Sequence, residues 1–111
     1  MKPIASDPTA RDQPAGDAIR LNACAPFDHF EVRTQRTVYD VVVLRGSTGE
    51  ALVRGGRYFT EFRPARVVGS TFGGSSVRLR IIEVGAQLEL QVAGQRVVTS
   101  TIEAVSPVSA G

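Results

Sequence analysis

Few residues in this chain could carry catalysis or bind a metal ion. Its 111 residues include one histidine, His29, and one cysteine, Cys24. A transition-metal site usually needs roughly three or four nitrogen or sulfur ligands, more than these two residues supply. Ser70, Ser75 and Ser76 could act as nucleophiles, but none lies in a Gly-x-Ser-x-Gly turn. We therefore expect a protein that is not an enzyme and that has no metal and no cofactor.

Arginine is the side chain with the most scope for recognition. The chain has 13 basic and 11 acidic residues and a net charge of +2. Guanidinium groups bind carboxylates and phosphates through two parallel hydrogen bonds. Arg54, Arg57, Tyr58 and Phe59 interleave arginine with aromatic rings, a combination that stacks bases and contacts phosphates. Binding of single-stranded RNA or DNA by these four residues is one alternative function.

A purely structural interpretation of the same segment is equally open. In a β-strand, Tyr58 and Phe62 point to one face, and Phe59 and Glu61 point to the other. One aromatic face would then be part of the core, and Glu61 would reduce the positive charge of the other. The small net charge also argues against a nucleic-acid partner.

A second alternative is a sensor for a small anionic ligand such as a cyclic nucleotide. It would use Arg33 and Arg36, which lie just before the first predicted strand. The glycine-rich stretches 46–49 and 69–76 do not precede a predicted helix, as a nucleotide-binding loop would. We interpret both stretches as hairpin loops.

The first predicted strand covers residues 37–44, which are mostly β-branched or aromatic and are apolar on nearly both faces. This pattern is typical of a central strand or of a strand in a closed barrel. A second strand follows at 50–54 and is interrupted by Gly55-Gly56. A third strand, 57–62, is expected to end before Pro64.

The second half of the chain also shows strand periodicity. After a weaker strand at 65–70, Val77 and Leu79 alternate with Arg78 and Arg80, which predicts apolar side chains inward and arginines outward. Residues 86–92 alternate clearly, and a turn around Gly94 leads into a partner strand at 95–105.

These elements predict an all-β fold, a small barrel of SH3-like size with six or seven short antiparallel strands. The Pro- and Asp-rich residues 1–25 are expected to form a disordered N-terminal arm. The barrel would cover residues 26–106, and residues 107–111 would form a flexible tail.

Protein–protein interaction is the function that we expect first. A barrel has one interior, so the second apolar face of 38–44 must be covered by Phe27 and Phe30, by another strand, or by a second subunit. Open strand edges pair readily with a partner. We predict an assembly module that self-associates, with Arg54, Arg57, Arg78 and Arg80 on its exposed contact surface. Without an apolar run of about 18 residues we expect no membrane insertion. The single cysteine favours a reducing, cytoplasmic compartment.

Overall fold

The computed structural model of this chain describes residues 18–73 and 76–108. These residues form no α-helix, and the predicted all-β class is confirmed. The strands are β1 Ala18–Arg20, β2 His29–Thr34, β3 Val38–Arg45, β4 Glu50–Gly55, β5 Phe59–Phe72, β6 Ser76–Leu79, β7 Ile81–Glu83, β8 Gln87–Val92 and β9 Gln95–Pro107. A short 3₁₀ helix, Leu21–Ala23, follows β1.

All strand pairings are antiparallel, and six strands pair in a ring. The larger sheet has the order β4-β3-β2-β9-β8-β5-β6, and β4 also pairs with β5. Strand β5 closes this ring because it is long: residues 59–66 pair with β4, and residues 66–71 pair with β8. The sheet therefore curls round one interior like a small barrel. Strand β6 lies outside the ring, at the end of the sheet.

The length of β5 differs from the prediction of a strand that ends before Pro64. A single strand of 14 residues replaces the two short strands that we expected. Pro64 pairs with Leu52 of β4, in a part of β5 that precedes its pairing with β8. The N–H that proline lacks is not needed on the unpaired edge, so this position accommodates it.

The interior is filled by aliphatic side chains from every strand of the ring. Alternating residues of β8 point inward, and their partners on the neighbouring strands do the same. Burial of each such side chain stabilises the fold by about 1.5–3 kcal/mol. The buried apolar residues that pack together as the core are Leu21, Val32, Val41, Val43, Ala51, Val53, Phe59, Val67, Ile82, Leu88, Leu90, Val92, Ile102 and Val105.

The folded region begins earlier than the predicted boundary at residue 26. Strand β1 pairs with β7, and Leu21 is buried in the core. A side chain at Gly46 would collide with the Leu21 carbonyl, since its Cβ would lie 1.9 Å from that oxygen. One buried leucine in a polar stretch gives no periodic signal, so the sequence did not reveal this anchor. Residues 1–17 of the predicted arm and 109–111 of the predicted tail lie outside the described residues.

The predicted hairpin between β8 and β9 is confirmed. Ala93 and Gly94 have φ values of 49° and 81°, as a two-residue turn of type I′ requires. Val92 pairs with Gln95, which sets Val97 opposite the buried Leu90. The predicted loop at 46–49 is also a hairpin turn, in which the Gly49 N–H donates to the Arg45 carbonyl at 3.0 Å.

Candidate interaction surface

Arg54, one of the predicted contact residues, belongs to a network on the outside of the barrel. Its Nη2 donates to Asp40 Oδ2 at 3.1 Å, and its guanidinium lies 4.3 Å from the centroid of the Phe62 ring. His29 Nε2 lies 3.0 Å from the other oxygen of Asp40. Strands β2 to β5 are consecutive neighbours, so they hold these four side chains side by side.

The carboxylate of Asp40 is the centre of this network. Partial burial raises the pKa of Asp40, but hydrogen bonds from His29 and Arg54 and their nearby charge outweigh this effect and hold the pKa below its ordinary value. Asp40 is therefore ionised at neutral pH with both oxygens occupied. The acceptor at the centre of the network is thus satisfied by groups of the fold itself.

The strip from Arg57 to Phe59 does not form one surface. Phe59 is buried in the core, where its ring meets the edge of Tyr39 and of Tyr58. Tyr58 is exposed, and the Arg63 guanidinium lies 5.5 Å from its ring centroid. Arg57 is exposed. The structure thus removes Phe59 from the predicted contact residues, because its face of the strand is the core face.

The prediction that Arg80 lies on an exposed contact surface is also wrong. It is half-buried, and its Nη1 donates to the Val68 carbonyl at 3.1 Å and to the Val67 carbonyl at 3.4 Å. These carbonyls lie at a β-bulge where β5 and β8 shift register between Val67 and Gly69. Arg80 has a positive φ of 59°, which ends β6. The hydrogen bonds of the Arg80 side chain therefore hold the end of β6 against the bulge of β5.

Arg78 forms an ion pair with Glu83 of β7 through one guanidinium nitrogen. Its Nη1 lies 2.8 Å and 3.1 Å from the two carboxylate oxygens. Glu89 pairs with Arg96, whose Nη2 and Nε each lie 3.1 Å from a different oxygen of the carboxylate. Each of these two carboxylates is therefore paired with an arginine of another strand.

Strand β6 presents the most open edge of the described sheet. It pairs with β5 on one side only, and all four of its residues are exposed. Leu79 is 64% exposed and Val77 is 36% exposed. Paired residues point to the same side of a sheet, so Val77 lies on the face of Thr71, and Arg78 lies on the face of Ser70. The strand thus combines unpaired backbone groups with two exposed aliphatic side chains.

This exposure reverses the sequence prediction for Val77 and Leu79. Their alternation with arginine predicted a half-buried strand with both apolar residues inward. The alternation itself is present, but β6 lies beyond the ring, where neither face of the strand reaches the interior. Gly69 permits this close approach of β6, since a Cβ there would lie 2.0 Å from the Arg78 carbonyl oxygen. Periodicity alone does not distinguish a face that points inward from an apolar face that is exposed.

The two arginines of the predicted anion site are separated by the fold. Arg33 is exposed on β2, whereas Arg36 lies in the β2–β3 turn and lines a pocket of about 500 Å³. The other walls include Tyr39 of β3, Gln87 of β8 and residues 98–101 of β9. Only Arg36 therefore remains a candidate for ligand binding.

The remaining groups with reactive side chains are Cys24 and the acids of the described residues. The Cys24 thiol donates to the Arg20 carbonyl, and burial together with the negative charge of Asp28 raises its pKa. Within 18–73 and 76–108, no group of three His, Cys, Asp or Glu side chains could hold a metal ion. No helix in the described part of the chain is long and apolar enough to cross a membrane.

No protein-family model, curated protein or solved structure matches this chain. A proposal about its function therefore rests on the geometry of the described residues.

Proposed function

We propose that this domain is an interaction module that forms a weak homodimer by pairing β6 with β6 of a second copy. The observation that carries the proposal is the open edge of Ser76–Leu79, with Leu79 64% exposed beside it. An open strand edge offers backbone donors and acceptors to another strand. An exposed aliphatic side chain next to that edge gains from being covered.

The sequence of β6 is compatible with pairing to itself. In an antiparallel pair with its two-fold axis at Arg78, Val77 of one copy lies opposite Leu79 of the other. Both residues are on the same face of the strand, so this register joins the two apolar faces. A register shifted by one residue would place Val77 opposite Arg78 and lose the match.

The charges around β6 are also compatible with this arrangement. The register places Arg78 opposite Arg78 of the second copy, and like charges in that position repel. Each guanidinium is already neutralised by Glu83 at 2.8 Å, so the two ion pairs meet as a group with no net charge. Glu83 thus supports the pairing by neutralising Arg78, and it does not itself contact the second copy.

The alternative of single-stranded nucleic-acid binding has less support. Phe59 is buried, and Arg54 is engaged by Asp40 and Phe62. Two of the four residues that this alternative needs therefore contact other parts of the same chain. The proposal retains the expectation of a reducing, cytoplasmic compartment, in which the free thiol of Cys24 would persist.

Sedimentation equilibrium tests the proposal. A four-residue edge buries less area than a stable interface, so we expect a dissociation constant on the order of 100 µM. Leu79→Lys places a charge in the apolar seam and is expected to weaken dimerisation at least about tenfold. Circular dichroism should show an unchanged fold, because the side chain is exposed in the monomer.

Val38→Lys is the matched control. Val38 is also exposed, at 44%, but it begins β3, which has neighbours on both edges. This variant should dimerise like the original protein. A protein that stays monomeric up to about 1 mM, or that loses dimerisation equally in both variants, would contradict pairing through β6.

A further inference from the structure

We infer that the pocket between the β2–β3 turn and β9 binds a phosphate group, with Arg36 as its charged contact. This site is independent of the β6 edge. Its volume of about 500 Å³ is within the range of small-molecule sites. The phosphate could be inorganic phosphate or part of a small phosphate ester, and both have the same chemistry at the site.

The charge of the pocket favours an anion. Arg36 is the only charged residue among those that line it, and no aspartate or glutamate is present in the lining. Among the described residues, the guanidinium of Arg36 forms no ion pair. An arginine without a carboxylate partner beside a polar pocket is available to an oxyanion, which it can bind through two parallel hydrogen bonds.

The hydroxyl groups of the pocket supply additional donors. Thr37, Tyr39 and Thr101 line the pocket, and their hydroxyls form no hydrogen bond with the described part of the chain. Ser100 Oγ accepts from the Arg36 N–H at 3.2 Å, which leaves its own proton free to donate. By contrast, Thr99 is satisfied, since it accepts from the Leu88 N–H and donates to the Ser100 carbonyl. A ligand rich in acceptors is therefore the complement of this surface.

The backbone explains why the pocket forms at this position. The pairing of β9 with β8 shifts register between Val98 and Thr101, and from Ile102 onward β9 pairs with β2. The Gln35 N–H donates to the Thr101 carbonyl at 3.0 Å, which holds the β2–β3 turn against the bulge. Bulges of this kind redirect side chains, and they are frequent beside binding sites.

A phosphate group satisfies this set of donors better than a carboxylate does. Its three terminal oxygens can accept from the arginine and from several hydroxyls at once, whereas a carboxylate has two oxygens. A neutral sugar would use the hydroxyls but not the positive charge. The prediction is therefore that affinity depends on the phosphate and on Arg36.

Two-dimensional amide NMR with the full chain tests this inference. We would titrate glucose 6-phosphate, sodium phosphate and glucose separately at constant ionic strength. Both phosphate compounds should shift the amides of residues 35–37 and 98–101 saturably, and glucose should not. Tighter binding of glucose 6-phosphate would identify an ester as the ligand type. Tighter binding of inorganic phosphate would identify the free anion, and equal binding would mean that the site contacts the phosphate group alone.

Arg36→Gln should weaken phosphate binding about tenfold or more, since a charge-assisted contact is lost. Its N–H and the turn remain, so the fold should persist. Arg33→Gln is the matched control, an exposed arginine close in sequence that does not line the pocket. Absence of saturable shifts, equal shifts with glucose, or equal weakening in both variants would overturn the inference.

Discussion

The Asp40 network and the β6 edge lie on the same barrel, and both contain an arginine paired with an acid. In the network, the two oxygens of Asp40 are bound by His29 and Arg54, and Phe62 covers the guanidinium. At the edge, Arg78 is paired with Glu83, but within the described residues the backbone of β6 pairs with a neighbour on one side only. The side chains of the first region thus bind one another, whereas no described strand pairs with the outer edge of the second.

This difference shows that residue type alone is a poor indicator of a binding surface. An arginine and an aromatic residue such as Arg54 and Phe62 are typical of a nucleic-acid contact, yet here the guanidinium lies over the phenyl ring of the same chain. Val77 and Leu79 have the composition of a core strand, yet they are exposed. The useful question at each position is which groups remain unsatisfied after folding.

The largest effect on stability is expected at Arg80, which anchors the edge region. Arg80→Ala removes a charged donor from the Val67 and Val68 carbonyls and should lower the free energy of unfolding by about 2–3 kcal/mol. Arg80→Gly should cost less, because glycine adopts the positive φ at this position without strain. Urea unfolding of both variants measures the difference. Equal stability of Arg80→Ala and the original protein would show that β6 is not pinned in this way.

A smaller effect is expected from Asp40→Asn, which breaks the network. It should lower the free energy of unfolding by about 1 kcal/mol at pH 7, since the Asp40–Arg54 ion pair and the contact with His29 are partly exposed. Because the folded pKa of Asp40 is lowered, its ionised form stabilises the fold above the ordinary aspartate pKa. This contribution is lost as the pH falls below about 4, and the two proteins should then converge in stability.

Urea unfolding at several pH values tests that convergence. Dimerisation should be unaffected by Asp40→Asn, since no side chain of the network lies on β6, and β6 pairs with residues 69–72 of β5, beyond Phe62. A constant stability difference from pH 7 to about pH 2 would mean that the ionisation of Asp40 is not the source of the effect.

The smallest effect is expected from Glu83→Gln, which tests whether the Arg78–Glu83 ion pair supports pairing at the β6 edge. Without the carboxylate, the two Arg78 side chains would repel each other across the dimer axis, and dimerisation should weaken about threefold. Added salt should reduce this difference by screening the repulsion. Glu103→Gln, at an exposed position on β9, is the control in sedimentation equilibrium. Equal effects of the two substitutions would remove Arg78 from the interface.

The sequence predicted those parts of the fold that depend on local patterns. The β8–β9 hairpin follows from strict alternation and a glycine turn, and β3 follows from its β-branched run. The continuous β5 was not predicted, because Pro64 is tolerated only where a strand edge is unpaired. The role of Arg80 was not predicted either, since it depends on carbonyls freed by a bulge 12 or 13 residues earlier. Such features arise from tertiary contacts that one-dimensional periodicity does not contain.

Disulfide trapping tests the β6 pairing most directly. In a Cys24→Ser background, Arg78→Cys would place two cysteines across the proposed axis, at a Cα separation of about 4.5–5.5 Å. We predict that mild oxidation converts most of this protein to a covalent dimer at about 100 µM, whereas Val38→Cys in the same background stays largely monomeric. Cross-linking of Arg78→Cys no faster than that of Val38→Cys would contradict the proposed dimer.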